Sequence, residues 1–443
     1  MKVLMLGWEY PPHISGGLGT ACEGLTRSLA RLNIDIRFVV PHLYGGEYAP
    51  HMTLVDSLCG SKQPNAEHGR TQQSARIKTE RVSAFLQPYW TPEAFDKKIA
   101  ALRTLKGSKS VAEVFGSEQL YQSVSASLEG DAGDGEIYGG DIFEEVGRFT
   151  SNLLALVGGD TSFDMIHAHD WMTYPAGVAL SELTGKPLVV HVHSLEYDRS
   201  GHSVNPQIDQ IERLGTNRAS LVIAVSYYTA AVVQREHGVA PEKIAVVHNG
   251  VYPHEAVQDY QRTKDWPEKS VLFLGRITFQ KGPDYFVEAA AKVIPHVPGV
   301  VFVMAGSGDM LQRMIDRVHQ LGIAEHFRFP GFLKGAELEK MLSLADLYVM
   351  PSVSEPFGIS ALEAISFDTP VIISRQSGVS EVLDHALKVD FWDVDRLADL
   401  IINGLIHAEL RADMVAMAHE EVKKLRWDAA ALKTLEIYRR MVG

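Results

Sequence analysis

Cysteine is nearly absent from this chain: Cys22 and Cys59 are the only two in 443 residues. Two thiols build neither a disulfide framework nor a zinc cluster, and their scarcity fits a reducing compartment. Long apolar runs are missing as well, and no stretch approaches the length of a membrane span. The opening Met1-Lys-Val-Leu-Met-Leu6-Gly carries four apolar residues after Lys2, too few for the core of a signal peptide. Positive charge is not in surplus. A formal charge of −13 disfavours a nucleic-acid partner and a polybasic membrane surface. No Gly-x-Ser-x-Gly elbow, Walker loop or cysteine nucleophile occurs, so acyl transfer and kinase-type phosphoryl transfer lack support. These absences predict a cytoplasmic protein with no stable membrane insertion.

What is present is ordinary in amount and informative in order. Hydrophobic residues at 46% and charged residues at 22% describe a globular protein too long for one core. Short Val/Ile/Leu runs alternate with amphipathic helical segments, the pattern of parallel sheets covered on both faces. In the first half the strands are expected at 3–6, 36–40, 165–168, 188–191, 221–225 and 244–247. In the second half they are expected at 271–274, 300–304, 327–329, 347–350 and 371–373. Helices are expected at 21–32, 283–294, 310–321 and 338–344, and the apolar stripe after Trp427 predicts a terminal helix. Residues 57–140 read as an irregular insertion, and the polar stretch 250–269 as a domain boundary. The expected architecture is α/β, with two doubly wound domains facing across a cleft. The first spans 1–252 and the second 268–426, with the helix 427–443 returning to the first.

The richest segment is Pro351-Ser-Val-Ser-Glu355-Pro-Phe-Gly358-Ile-Ser-Ala-Leu-Glu363. Pro356 and Gly358 predict a turn that opens a helix. Glu355 then lies on the loop at a strand's carboxyl end and Glu363 one and a half turns into the helix. Free N–H groups at that helix start favour an anion, and such crevices hold ligands in open α/β sheets. A surface helix with two solvated glutamates satisfies the same pattern. Gly275-Arg276 and Lys281-Gly282 follow a strand directly. There a planar guanidinium and a point charge can clamp a diphosphate, or can simply decorate a solvated loop. Glu9, Gly16, Gly17 and Gly19 occupy the first strand-to-helix loop, where paired glycines let backbone N–H groups approach a phosphate. Gly306 and Gly308 form a turn able to pack against a flat base or merely to turn. Ser226 to Thr229 and His248-Asn249-Gly250 fit plain capping and turn chemistry. Glu381 fits a charge at a helix N-terminus. His167, His169, His191 and His193 alternate along two strands, so each pair shares a face. Without a third carboxylate at ligand spacing, a polar strand end is expected there rather than a metal.

With those motifs in hand, the chain resembles the retaining GT-B glycosyltransferases, in the group that holds bacterial and archaeal glycogen synthases and family 4 sugar transferases. Pro-Ser-x-x-Glu355-Pro-Phe-Gly with Glu363 carries most of the resemblance. Gly275-Arg276 with Lys281-Gly282 reinforces it, as do His167-Ala-His169-Asp170-Trp171 and the stretch from His193 to Arg199. The resemblance implies that Arg276 and Lys281 bind the donor diphosphate and that Glu363 accepts from the ribose hydroxyls. Glu355 and the N–H groups of Phe357 and Gly358 would hold the transferred sugar, with His193 near its anomeric centre. Gly17, Asn249 and Gly306 fall on the donor side, and Asp170 and Glu9 on the acceptor side. One departure matters. Synthases of the ADP-glucose type carry a lysine where this chain has Ile14, which leaves UDP-glucose and ADP-glucose both open. The implied partners are a nucleotide sugar and an α-glucan or other sugar acceptor, with no cofactor and no metal. A family 4 enzyme making a disaccharide or surface glycan, an acceptor-free epimerase and a catalytically silent sugar-nucleotide binder are the competing readings.

Overall fold

The structure is a computed structural model that describes residues 1–13, 16–57, 142–157, 161–252 and 269–443. The expected insertion after residue 57, the centre of the polar boundary and Ile14 lie outside the described residues. Two all-parallel sheets form the frame. The first contains β1 (Lys2–Leu6), β2 (Asp35–Val40), β3 (Thr53–Asp56), β4 (Met165–His169), β5 (Leu188–Val192), β6 (Leu221–Ala224) and β7 (Ile244–Val246). The second contains β8 (Lys269–Leu274), β9 (Val300–Ala305), β10 (Phe327–Gly331), β11 (Leu347–Met350), β12 (Val371–Ser374) and β13 (Leu387–Val389).

Their orders are β3-β2-β1-β4-β5-β6-β7 and β10-β9-β8-β11-β12-β13. Both are doubly wound, and both reverse direction where the first strand of the sheet meets the fourth. Those switch points lie between β1 and β4 and between β8 and β11, where strand ends splay and leave a crevice. Two strands escape the sequence reading. Thr53–Asp56 and Leu387–Val389 are short edge strands with polar or half-buried positions, too brief for a clear period.

The inner strands of both sheets are buried on both faces, so they are largely runs of Val, Ile, Leu and Met with little or no exposure. The helix α1 (Gly17–Arg31) covers the first sheet with Ala21, Leu25 and Leu29, a stripe at helical spacing. Beside it lies α4 (Trp427–Val442), from the far end of the chain. A β-carbon on Gly24 would sit 2.2 Å from the Trp427 ring, so Gly24 is the notch that admits the indole. Trp427, Ala431, Leu435 and Tyr438 share one core with Ile36, Phe38 and Met165. At the end of the first domain's described residues, Val251 bridges to Arg426, with its amide on Leu425 O at 2.9 Å. Two further helices matter below, α2 (Tyr227–His237) in the first domain and α3 (Ile359–Ser366) in the second. No helix among the described residues is long and apolar enough to cross a membrane.

Candidate active site

The second domain supplies the charges. β8 is followed by Gly275, whose φ of +148° turns the chain into Arg276 and then into a short helical turn, Phe279–Lys281. Lys281 Nζ bonds Glu355 Oε2, and Ser352 Oγ lies 3.3 Å from the same oxygen. Glu355 is only 6% exposed, so the ammonium compensates a carboxylate that could not otherwise be buried. Residues that the sequence assigned to phosphate and to sugar are thus one ion pair. Arg276 is exposed and donates to Gln280 Oε1 at 3.3 Å. Gly358, with φ +106°, opens α3. Among the described residues the Phe357 and Gly358 N–H groups take no hydrogen bond, which leaves donors at the helix start for a ligand. Glu363 is partly buried in the first turns of α3, and burial pushes its carboxyl above the usual range. Gly306 has a packing reason of its own. Its φ is +141°, and a β-carbon there would sit 1.8 Å from Gly275 O, so the two strand-end turns need it whatever lies above them.

The first domain supplies a polar, crowded wall. Among the described residues, positions Gly16 and Gly17 have open space where a β-carbon would go, and no described neighbour demands glycine there. Glu9 turns inward, and its Oε1 accepts from the Gly19 N–H at 3.1 Å, inside the first turn of α1. Asn249 is buried where the chain approaches its crossing, one residue before Gly250. Asp170 follows β4 with φ +59°, a conformation that costs a non-glycine residue energy. Its Oδ1 accepts from the His193 N–H at 2.7 Å and the Ser194 N–H at 3.4 Å, bolting the end of β5 to the end of β4. Burial lifts the Asp170 carboxyl to about 6. The His193 amide, Arg199 and Arg276 pull the other way, and Arg276 does so from the opposite domain.

This predicts a pH effect of definite sign. A raised carboxyl favours the protonated fold, so this group's contribution to stability is complete below the ordinary carboxylate range and declines as pH climbs through about 6. The full acceptor strength on the His193 loop exists only above that value. Transfer should therefore fall as pH drops through about 6. In Asp170→Asn, whose amide oxygen still accepts, a pH profile of kcat/KM should lose that limb; an unchanged limb would reassign it.

Behind this wall the four histidines form a stack. The rings of His167 and His169 lie 4.3 Å apart, those of His191 and His193 4.2 Å, and those of His167 and His191 5.4 Å with 4° between planes. The shared faces expected from alternation are present. His167 Nδ1 lies 2.5 Å from Tyr438 Oη, and His169 Nδ1 lies 3.0 Å from His193 Nε2. Burial holds all four neutral, with His167 and His193 depressed to about 3. The fold also brings the buried Cys22 thiol of α1 to His169 and His193, with ligand-type atoms within 4.8 Å of one another. The strand pattern gave no sign of that neighbour.

Several residues join the two walls. Asp198 Oδ1 accepts from Ser354 Oγ at 2.5 Å, and Ser354 Oγ also lies 2.9 Å from Tyr228 Oη. Ser226 Oγ caps its own helix through the Thr229 N–H and donates to Pro356 O at 2.6 Å. Glu381 corrects the sequence reading. Its carboxylate does serve a helix N-terminus, but that of α2 in the other domain, through Tyr227 N–H at 2.9 Å and Tyr228 N–H at 2.5 Å. His248 Nε2 adds a contact at 3.1 Å. Ser226, Tyr228 and Asp198 were visible only as local motifs, because nothing in sequence announces a partner 126 to 156 residues away.

Two doubly wound domains, with an Arg/Lys/Glu wall facing an Asp/His wall across a shared cleft, define a GT-B glycosyltransferase. The family follows from direct comparison. The model for "Glycosyl transferases group 1" matches residues 257–421 and that for "Glycosyltransferase Family 4" matches residues 142–255; the chain belongs to this glycosyltransferase family. It is 32% identical over 322 residues to the alpha-maltose-1-phosphate synthase of Mycolicibacterium smegmatis, covering 65% of this chain and 82% of that protein. It is 28% identical to an uncharacterized glycosyltransferase of Methanocaldococcus jannaschii across 99% of this chain and 98% of the other. A glycogen synthase of Mycobacterium tuberculosis is 26% identical across 86% of this chain and 80% of its own length. Among solved structures, sucrose-phosphate synthase from Thermosynechococcus elongatus superposes with a TM-score of 0.69 at 19% identity, covering 99% and 98% of the two chains. Anabaena HepE in complex with UDP-glucose gives 0.65 at 16% identity, covering 99% and 100%. At those identities the structures speak for the fold.

Proposed function

We propose that the chain is a retaining hexosyltransferase that moves glucose from a nucleotide sugar, UDP-glucose or ADP-glucose, to the non-reducing end of an α-glucan. The observation that carries this is the Lys281–Glu355 ion pair beside Arg276, set against unpaired helix N–H groups at the start of α3. In this reading Arg276 and Lys281 neutralise the departing diphosphate, and the α3 N-terminus adds its partial positive charge. Glu363 accepts from the ribose, and burial primes it to gain a hydrogen-bonding partner. Glu355 holds the sugar rather than attacking it: its carboxylate is tied to Lys281, whereas a double-displacement nucleophile must face the anomeric carbon. The leaving phosphate then takes the acceptor's proton on the same face. Asp170 fixes the His193 loop beside the reacting centre, and no metal is needed for the chemistry.

The glycogen synthase relative and the UDP-glucose bound by HepE support the donor class and the acceptor. The alpha-maltose-1-phosphate synthase relative supports a second reading, a family 4 enzyme making a disaccharide or surface glycan. The deciding experiment measures nucleotide release from UDP-glucose and from ADP-glucose, each with and without maltooligosaccharide. Release that rises with oligosaccharide, with longer chains in the product, is expected. Release indifferent to oligosaccharide would move the acceptor to the second reading. The same assay after exhaustive chelation is expected to keep its activity. Loss that only an added metal restores would overturn the metal-free mechanism.

A further inference from the structure

The loop after β2 turns one aromatic ring outward and then prevents it from moving. Tyr44 is 53% exposed, yet its backbone is fastened on every side. Its N–H donates to Glu47 Oε1 and the Gly45 N–H to Glu47 Oε2, both at 2.8 Å. The Leu43 N–H donates to Asp56 Oδ2 at 3.0 Å, and His13 Nε2 lies 2.7 Å from Gly45 O. Gly45 and Gly46, with φ of +102° and +87°, make the turn that these bonds close. The ring itself is flanked by two others. His42 stands edge-on to it at 4.7 Å, and His13 lies tilted at 5.4 Å.

An exposed tyrosine alone needs no explanation. Tyr48 is such a residue: it is 75% exposed and makes no ring contact among the described residues. Tyr44 differs because its ordering entropy is already spent in the free protein, which is what a binding platform requires. Its position is equally specific. His13 belongs to the loop that leads into Gly16, Gly17 and α1, and a β-carbon on Gly46 would lie 3.9 Å from Pro12. The ring therefore sits on the same rim as the open glycines, one strand further from the β1/β4 switch point than they are. A chain-like ligand with its reacting end near Asp170 and His193 would cross it. Burial and the nearby carboxylates of Glu145, Asp56 and Glu47 raise the Tyr44 phenol. A flat aromatic face held in place by its neighbours matches a pyranose, which is apolar on its C–H faces.

We propose that Tyr44, steadied by His13 and His42, is a stacking subsite for a sugar ring of the acceptor remote from the point of transfer. This rests on the reading of the chain as an α-glucan-directed transferase. The test compares wild type, Tyr44→Ala, Tyr44→Phe and Tyr48→Ala for maltopentaose KM in nucleotide release. Calorimetric binding of maltopentaose with UDP present, and the thermal midpoint, are measured alongside. Tyr44→Ala should raise the maltopentaose KM and Kd by about five- to twenty-fold. Its kcat, donor KM and thermal midpoint should stay close to wild type, and Tyr44→Phe and Tyr48→Ala should behave as wild type. An unchanged maltopentaose KM in Tyr44→Ala would overturn the subsite, as would an equal loss in Tyr44→Phe or a parallel rise in donor KM. Wild type that neither binds nor extends maltopentaose would overturn the α-glucan reading itself, and the subsite with it.

Discussion

Lys281→Ala should reduce turnover by about a hundred- to a thousand-fold, the cost of removing one preorganised charge from a developing anion. The structure makes this residue the more exacting of the two cations. Arg276 reaches into solvent with one neutral partner, whereas Lys281 also compensates the buried Glu355 carboxylate. In the proposed mechanism its loss has two separable consequences: less stabilisation of the leaving diphosphate and a carboxylate stranded in a poorly solvated loop. A second substitution separates them. In Lys281→Ala/Glu355→Gln the stranded charge is gone, so the thermal midpoint should recover towards wild type while turnover does not. Nucleotide-release kinetics and a melting curve on the three proteins decide the matter. A turnover loss below about tenfold in Lys281→Ala would mean the clamp lies elsewhere.

Trp427→Ala should cost about 3–5 kcal/mol of stability, in the range for deleting a buried indole. Trp427 is 3% exposed and fills the notch left by Gly24, and its own amide lies against Gly250, where a β-carbon would come within 2.3 Å. The helix it starts belongs by sequence to the end of the chain and by packing to the first domain. The cavity would open at the seam between α1, α4 and the crossing segment, so neighbours can collapse into it only by moving one of them. Denaturant unfolding gives the magnitude, and proteolysis of the last residues gives the location. A change below about 1 kcal/mol would mean that α4 rests on the first domain without supporting it.

Much of the frame was legible because it is written in local pattern. Val300 to Ala305 and Leu347 to Met350 are unbroken apolar runs, and no reading other than a buried strand suits them. The turn at Pro356 to Gly358 likewise had to end one element and begin the next. Edge strands such as Thr53–Asp56 were lost because half of their positions face polar surroundings. In the site, the loop position of Glu355 and the helical position of Glu363 came from sequence, but the partner of Glu355 did not. Lys281 is 74 residues away, and only the adjacency of β8 and β11 brings the two together. Glu381 misled for the same reason. Its chemistry, a carboxylate at a helix start, was legible, while the identity of the helix depended on how two domains meet. Cys22 beside the histidines is a third case, set by the packing of α1 on β4.

The helix α2 is finished by a residue that does not belong to its domain. Should the two domains part, the Tyr227 and Tyr228 amides would lose the Glu381 carboxylate and turn to water, and the Ser226 hydroxyl would lose the Pro356 carbonyl while keeping its own cap. Domain separation would thus fray one helical turn without unfolding the helix. Those two amides form a built-in gauge: the rate at which they exchange their hydrogens tracks how often the cleft stands open.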